Sequence, residues 1–404
     1  MIRSSSFLRS ALACALIVPF AFACADTSPP GEFSSRPDAA PGPDASSAVW
    51  WDAATDPADA AVLREAESLQ APTADRPVRT RLVSFATPPR WLGGVITSFG
   101  ALLIWDAGDP SRHDLVALPL GRDGRARGAP RPVLAGAGAL ATATLAWDWR
   151  RDVVLLVADT PDATLALRLQ GSGAPLGEVG RLGAGPGQGA PPVASAAIRA
   201  RDGFLVAHAT GVDTVALTSV PAEAGQTPPA PHWLHLPGAR RLQLADTGEG
   251  RYLAFDGPLT AGLRRLDVTA PTQPWSPQAR ADLLADGDGL LMITCAGGAP
   301  GEPGRVLAER LDADGRPRDL PRPLAKSALP CDLAAHLRPS GGLVLRHGRH
   351  LTRFDAELRP DGDPGHLPAG PLPPVVMWAQ DAGLTCGVWK DAEGQTLDCL
   401  ALAP

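Results

Sequence analysis

The chain is poor in tyrosine, with one, and in methionine, with three, and aromatic residues make up 5% of its 404 positions. It lacks an excess of basic charge: Lys and Arg total 37 against 43 Asp and Glu, a net charge of -6. Without a basic footprint there is little to hold a phosphate backbone, so nucleic acid is excluded as an expected partner. Long apolar runs are scarce too, the most prominent being residues 11–23, too short for a confident membrane span. Helical periodicity is confined to residues 57–70, where Val62, Leu63, Ala66 and Leu69 share one face. A doubly wound parallel sheet needs long amphipathic helices between its strands, and their lack argues against that fold.

What is abundant is turn chemistry. Gly and Pro number 43 each, and beyond residue 79 they sit mostly between short apolar runs. Residues 193–220 form the clearest unit, reading as strand, tight turn at Arg201-Asp202-Gly203, strand, turn and third strand. Taking the residue that opens the second strand as an anchor, the pattern recurs at Gly100, Asp152, Gly203, Arg251, Gly289, Gly342 and Gly383. The copies lie roughly 38 to 53 residues apart, the irregularity expected when loops vary in length and strands do not. A single small sheet cannot bury both faces, so seven such units predict an all-β fold, a seven-bladed β-propeller over residues 79–404. The last copy has only three strands, while an unpaired strand at residues 79–86 precedes the first. That N-terminal strand is predicted to complete the seventh blade beside residues 396–402 and to remove its open edge.

Ahead of the propeller, Arg3 and Arg9 precede the apolar core of a secretory signal. Residues 1–23 are read as a signal peptide, 24–56 as a disordered Pro/Ser/Ala tether, and 57–78 as a short helix and linker. Ala21-Phe22-Ala23-Cys24 resembles a bacterial lipobox, with Ala21 where Leu is usual. The resemblance implies lipid attachment at Cys24, a membrane partner through that anchor, and a place in the cell envelope facing the periplasm or exterior. Ordinary secretion after Ala23 or Ala25 is the alternative.

Of six cysteines, Cys14 leaves with the signal and Cys24 takes the lipid. Counting outward from a four-residue turn at residues 391–394 sets Lys390 opposite Gln395, Val388 opposite Leu397 and Cys386 opposite Cys399, within disulfide reach. Cys295 and Cys331 then pair by elimination, and an oxidising compartment permits both bridges.

Candidate chemistry is sparse. Gly183 to Gly189 has the look of a dinucleotide-binding glycine run, but Pro191-Pro192 and a strand follow where a helix N-terminus is needed. Asp312-Ala-Asp-Gly315 and Asp286-Gly-Asp-Gly289 resemble calcium loops yet lack the terminal Glu, and Asp-Gly is also a common hairpin turn. His347-Gly-Arg-His350 places two imidazoles across a type II′ turn on one face, half of a metal site with no partner pair to finish it. His232 and His235, three apart on a strand, point to opposite faces. Ser195, Ser219 and Ser276 have no base that sequence can place, and no cofactor is implied.

The repeats resemble WD40-like and TolB-like propeller repeats, Arg338-Pro-Ser-Gly-Gly-Leu-Val-Leu345 being the nearest copy, although no Trp-Asp ending recurs. The resemblance implies architecture only. The expected function is a non-catalytic binding or scaffolding propeller for an unknown protein or glycan ligand. The alternative is an exported propeller enzyme, a lactonase or a glycan-processing or quinone-dependent one, with its site in the central channel. Three or more Asp, Glu or His facing inward from the first strands would favour the enzyme, and His336 is the lone candidate read there.

Overall fold

The computed structural model describes residues 79–402 apart from short loop segments, chiefly 108–113, 137–139, 188–193, 258–260, 268–271, 275–279, 297–303 and 328–332. The signal, tether, helix and Cys24 therefore lie outside the described residues.

The chain begins with β1 (Arg79–Phe85) and then builds blades in order. Blade 1 is β2 (Leu92–Thr97), β3 (Gly100–Asp106), β4 (Leu115–Leu120) and β5 (Arg131–Leu134). Blade 2 is β6 (Thr142–Asp148), β7 (Val153–Asp159), β8 (Ala163–Gln170) and β9 (Gly180–Ala184). Blade 3 is β10 (Ala196–Ala200), β11 (Gly203–Ala209), β12 (Thr214–Pro221) and β13 (His232–His235). Blade 4 is β14 (Arg241–Asp246), β15 (Arg251–Asp256), β16 (Ala261–Arg265) and β17 (Gln273–Pro274). Blade 5 is β18 (Arg280–Asp286), β19 (Gly289–Ala296), β20 (Gly304–Leu311) and β21 (Arg322–Ser327). Blade 6 is β22 (Leu333–Leu337), β23 (Leu343–His347), β24 (His350–Phe354) and β25 (Gly365–His366). Blade 7 is β26 (Val375–Ala379), β27 (Ala382–Asp391) and β28 (Gly394–Leu402).

Seven four-stranded antiparallel sheets result, and the seventh has the order β1-β28-β27-β26. The N-terminal strand thus closes the ring as expected, with Thr80 opposite Cys399 and Phe85 opposite Gln395, and a register shift between Arg81 and Val83. Neighbouring first strands touch all the way round, β2 meeting both β6 and β26. Among the described residues there are no helices, which removes the doubly wound alternative.

Seven apolar clusters fill the seven inter-blade interfaces. Second strands lie between two neighbouring blades, so both their faces are covered. That is why Gly100–Asp106, Val153–Asp159 and Gly203–Ala209 are buried throughout and read as continuous apolar runs. The anchor glycines have a steric cause: Gly100 and Gly203 have φ of 130° and 152°, and a Cβ there would strike the carbonyls of Leu120 and Val220 on the third strand. In blade 2 the strand pairing puts Val153 in that place, and Asp152, the residue before it, is left-handed at φ 50°.

The third-to-fourth strand turns share one geometry in blades 1, 2, 5 and 6. Gly121 and Arg125, Gln170 and Ala174, Asp312 and Arg316, and Asp355 and Arg359 are each joined by a backbone N–H to carbonyl bond. The fourth residue of each turn, Gly124, Gly173, Gly315 or Leu358, is left-handed. Asp312 caps this turn: its Oδ1 accepts the amides of Asp314 at 2.9 Å and Arg316 at 2.8 Å.

Candidate functional site

Alternate residues of a strand share a face, so β14 sends Arg241 and Gln243 the same way, toward Asp282 on β18. Asp282 is 5% exposed and pairs with Arg241 Nη2. Its Oδ1 also accepts Gln243 Nε2 at 2.9 Å, and its Oδ2 accepts the Ala335 amide of β22 at 3.0 Å. Gln243 Oε1 in turn accepts the Leu283 amide at 2.7 Å. One carboxylate therefore ties the first strands of blades 4, 5 and 6, with both oxygens occupied. His336, the next residue on β22, has its imidazole pushed below the ordinary range by burial; Arg346 acts in the same sense and Asp282 opposes them.

Beside this network a cavity of about 300 Å³ opens among the first strands of blades 2 to 5. Its polar lining is Thr144, Ser195, Arg241 and Gln243, set among alanines and leucines. Arg241 Nη1 is buried and has no hydrogen-bond partner among the described residues. An unspent guanidinium donor is costly to bury, and a ligand oxygen would satisfy it.

Ser195 acquires a partner that the sequence did not place. Its Oγ donates to Asp159 Oδ1 at 2.6 Å and its amide to Asp159 Oδ2 at 3.1 Å, while Thr164 Oγ1 adds a third donor at 3.1 Å. Burial raises the Asp159 carboxyl above its usual range, and those donors counteract it. No imidazole is hydrogen-bonded to Ser195 among the described residues, so the pair works as a staple from blade 2 to blade 3. Ser219 is exposed on β12 and Ser276 lies outside the described residues. At the other end of these blades, Asp148 accepts Arg199 Nε at 3.0 Å and Arg151 Nη1 at 2.9 Å, and Arg199 stacks on Trp149.

His347 and His350 face each other across the hairpin as expected, rings stacked at 5.3 Å, with Gly348 at φ 59° in the first turn position. Burial, with His350 and Arg346 adding to it, depresses His347. His232 and His235 lie exposed on β13. The glycine run from Gly183 lies between β9 and β10, and among the described residues no helix follows it to receive a pyrophosphate.

Cys386 and Cys399 are directly opposed and form a disulfide with Cα atoms 4.1 Å apart. Cys295 is disulfide-bonded as well; Cys331 lies outside the described residues.

Sequence reasoning missed Arg241 and Asp282, and His336 is therefore not alone on the first strands. The available signal was a charged residue inside RLQLAD and another inside ARADLLA, each in a strand whose side chains must be covered by a neighbouring blade.

No family model matches the chain, and no curated protein matches it. Among solved structures, the AfRom2 CNH domain is 12% identical with a TM-score of 0.45, covering 80% of this chain and 98% of that one. A structure from a study of two prolyl endopeptidases is 13% identical with a TM-score of 0.46, covering 80% of this chain but 50% of its own. A protein from Lactobacillus plantarum is 13% identical with a TM-score of 0.46, over 72% and 97%. Identities this low carry nothing about activity; the blade count rests on the strand pairing itself.

Proposed function

We propose that this chain is a non-catalytic binding propeller of the bacterial cell envelope, held to a membrane by a lipid on Cys24, with a small ligand seated in the cavity beside Arg241. The observation that carries the reading is the unspent Arg241 Nη1 next to an open pocket, in a site whose carboxylate, Asp282, already has both oxygens engaged. A carboxylate or carbonyl oxygen on the ligand would complete the guanidinium without displacing Asp282. The disulfide at Cys386–Cys399 supports export, because such bonds persist in oxidising compartments.

The experiment is calorimetric titration of the mature chain with small mono- and dicarboxylates and acidic sugars, alongside Arg241→Gln. Binding that weakens roughly tenfold in the variant is the expected result for one charge-assisted bond. Turnover of a lactone, glycoside or quinone substrate, abolished by Asp282→Asn, would establish the enzyme reading instead. For the anchor, wild type and Cys24→Ala produced in the native host should part between detergent and aqueous phases; equal partition into water rejects lipidation.

A further inference from the structure

The fourth strand of blade 6, β25, is two residues long, and its register sets His366 directly opposite His350, which itself faces His347. Three imidazoles therefore lie in one row across three adjacent strands, with ring centroids 5.3 Å apart for His347 and His350 and 4.3 Å apart for His350 and His366. The segment carrying the third is clamped by the turn between the first two. The Leu367 amide donates to Arg349 O at 2.8 Å, and Arg349 Nε donates to Leu367 O at 3.0 Å.

We propose that His347, His350 and His366 form a binding site for a divalent transition-metal ion of the zinc type. Imidazole nitrogen suits such ions and not calcium or magnesium, which take oxygen. As the side chains stand, no group of three His, Cys, Asp or Glu among the described residues, these three included, is placed to hold a metal ion. Binding therefore requires the three rings to turn about their side-chain torsions on a strand register that is already in place. His347 is 8% exposed, His350 half-buried and His366 exposed, so the row runs from the blade interior to solvent. Three protein ligands leave a fourth position open to water or an outside donor.

The site is separate from the cavity beside Arg241, and its test is independent. Tag-free full-length mature chain, stripped with a chelator, is titrated with zinc by calorimetry, and cobalt(II) is added to read the visible bands of a low-coordinate nitrogen site. One equivalent should bind, with affinity falling roughly tenfold or more in His350→Gln and in His366→Gln. His366→Gln alters an exposed residue, so its unfolding midpoint in chelator should equal wild type. The double variant His232→Gln, His235→Gln should bind as wild type does. Failure to bind zinc, or binding unchanged by His350→Gln and His366→Gln, would overturn the site.

Discussion

Blades 7 and 4 solve the same problem by different means. Blade 7 pairs its long third strand, Gly394–Leu402, on both sides, with Ala382–Asp391 and with Arg79–Phe85. It adds a disulfide, an ion pair from Arg79 to the buried Asp398, and Phe85 edge-on to Trp105 at 6.0 Å. Blade 4 has an outer strand of two residues and, among the described residues, no disulfide. Instead it leans on its neighbour: Tyr252 Oη and Arg265 Nη1 both donate to the Ala313 carbonyl in the turn of blade 5, the latter at 2.8 Å. Arginines reach likewise from blade 2 to Pro221 O and from blade 5 to Ala356 O. Outer strands touch one partner, so their length matters little; the strand that joins the two ends of the chain is different, because the ring depends on it.

The largest effect should follow deletion of residues 79–85. Leu82, Val83 and Phe85 pack on the cluster between blades 7 and 1, and their loss leaves β28 with an open edge. The expected outcome is no cooperative urea transition and a soluble yield near zero; a normal transition would show that closure is dispensable. Replacing Cys386 and Cys399 by Ala should cost about 3 kcal/mol, since the bridge closes a loop of 13 residues in sequence. Urea midpoints with unchanged slope would measure it.

Within the ring, Asp282→Ala strands Arg241 and Gln243 and should cost about 3 kcal/mol, whereas Asp282→Asn should cost about half as much. Denaturation of both variants, compared with wild type, reads the difference. In blade 3, His208 is fully buried beside Thr218 and its imidazole is lowered to about 4, first by burial. The neutral ring favours the fold, so this contribution is intact above pH 6.5 and drains away as pH falls toward 4, where the unfolded chain takes the proton first. Between pH 7 and 4.5 the loss should be about 2 to 3 kcal/mol, absent from His208→Gln when the two are compared at each pH. Smallest, Arg265→Ala should cost about 1 kcal/mol through the lost link to blade 5. A much larger loss would mean that blade 4 depends on its neighbour as blade 7 depends on its seal.

The cross-strand cysteines were legible because a hairpin fixes its own register, and the closing strand because one unpaired apolar strand and one three-stranded unit were left over to complete each other. The shared turn of blades 1, 2, 5 and 6 was hidden because Leu358 holds a left-handed position where Gly124, Gly173 and Gly315 stand in the others. Asp312 looked like a cation ligand for the same reason that it caps a turn, its short carboxylate sitting near backbone amides. His366 gave no pattern, since a strand of two residues has no period.

Alternating short apolar runs, turn residues between them and one surplus strand at the front determined the blades, their number and the way the ring closes: neighbours in the chain set the first two, and closure joins the one strand and the one edge left over. Which side chains meet across blades was decided only in three dimensions. Arg241 finds Asp282, Ser195 finds Asp159 and His366 finds His350 through packing between separate sheets or across a minimal ladder. Strand periodicity says which face a residue takes, and the neighbour it meets there depends on how the sheets stack.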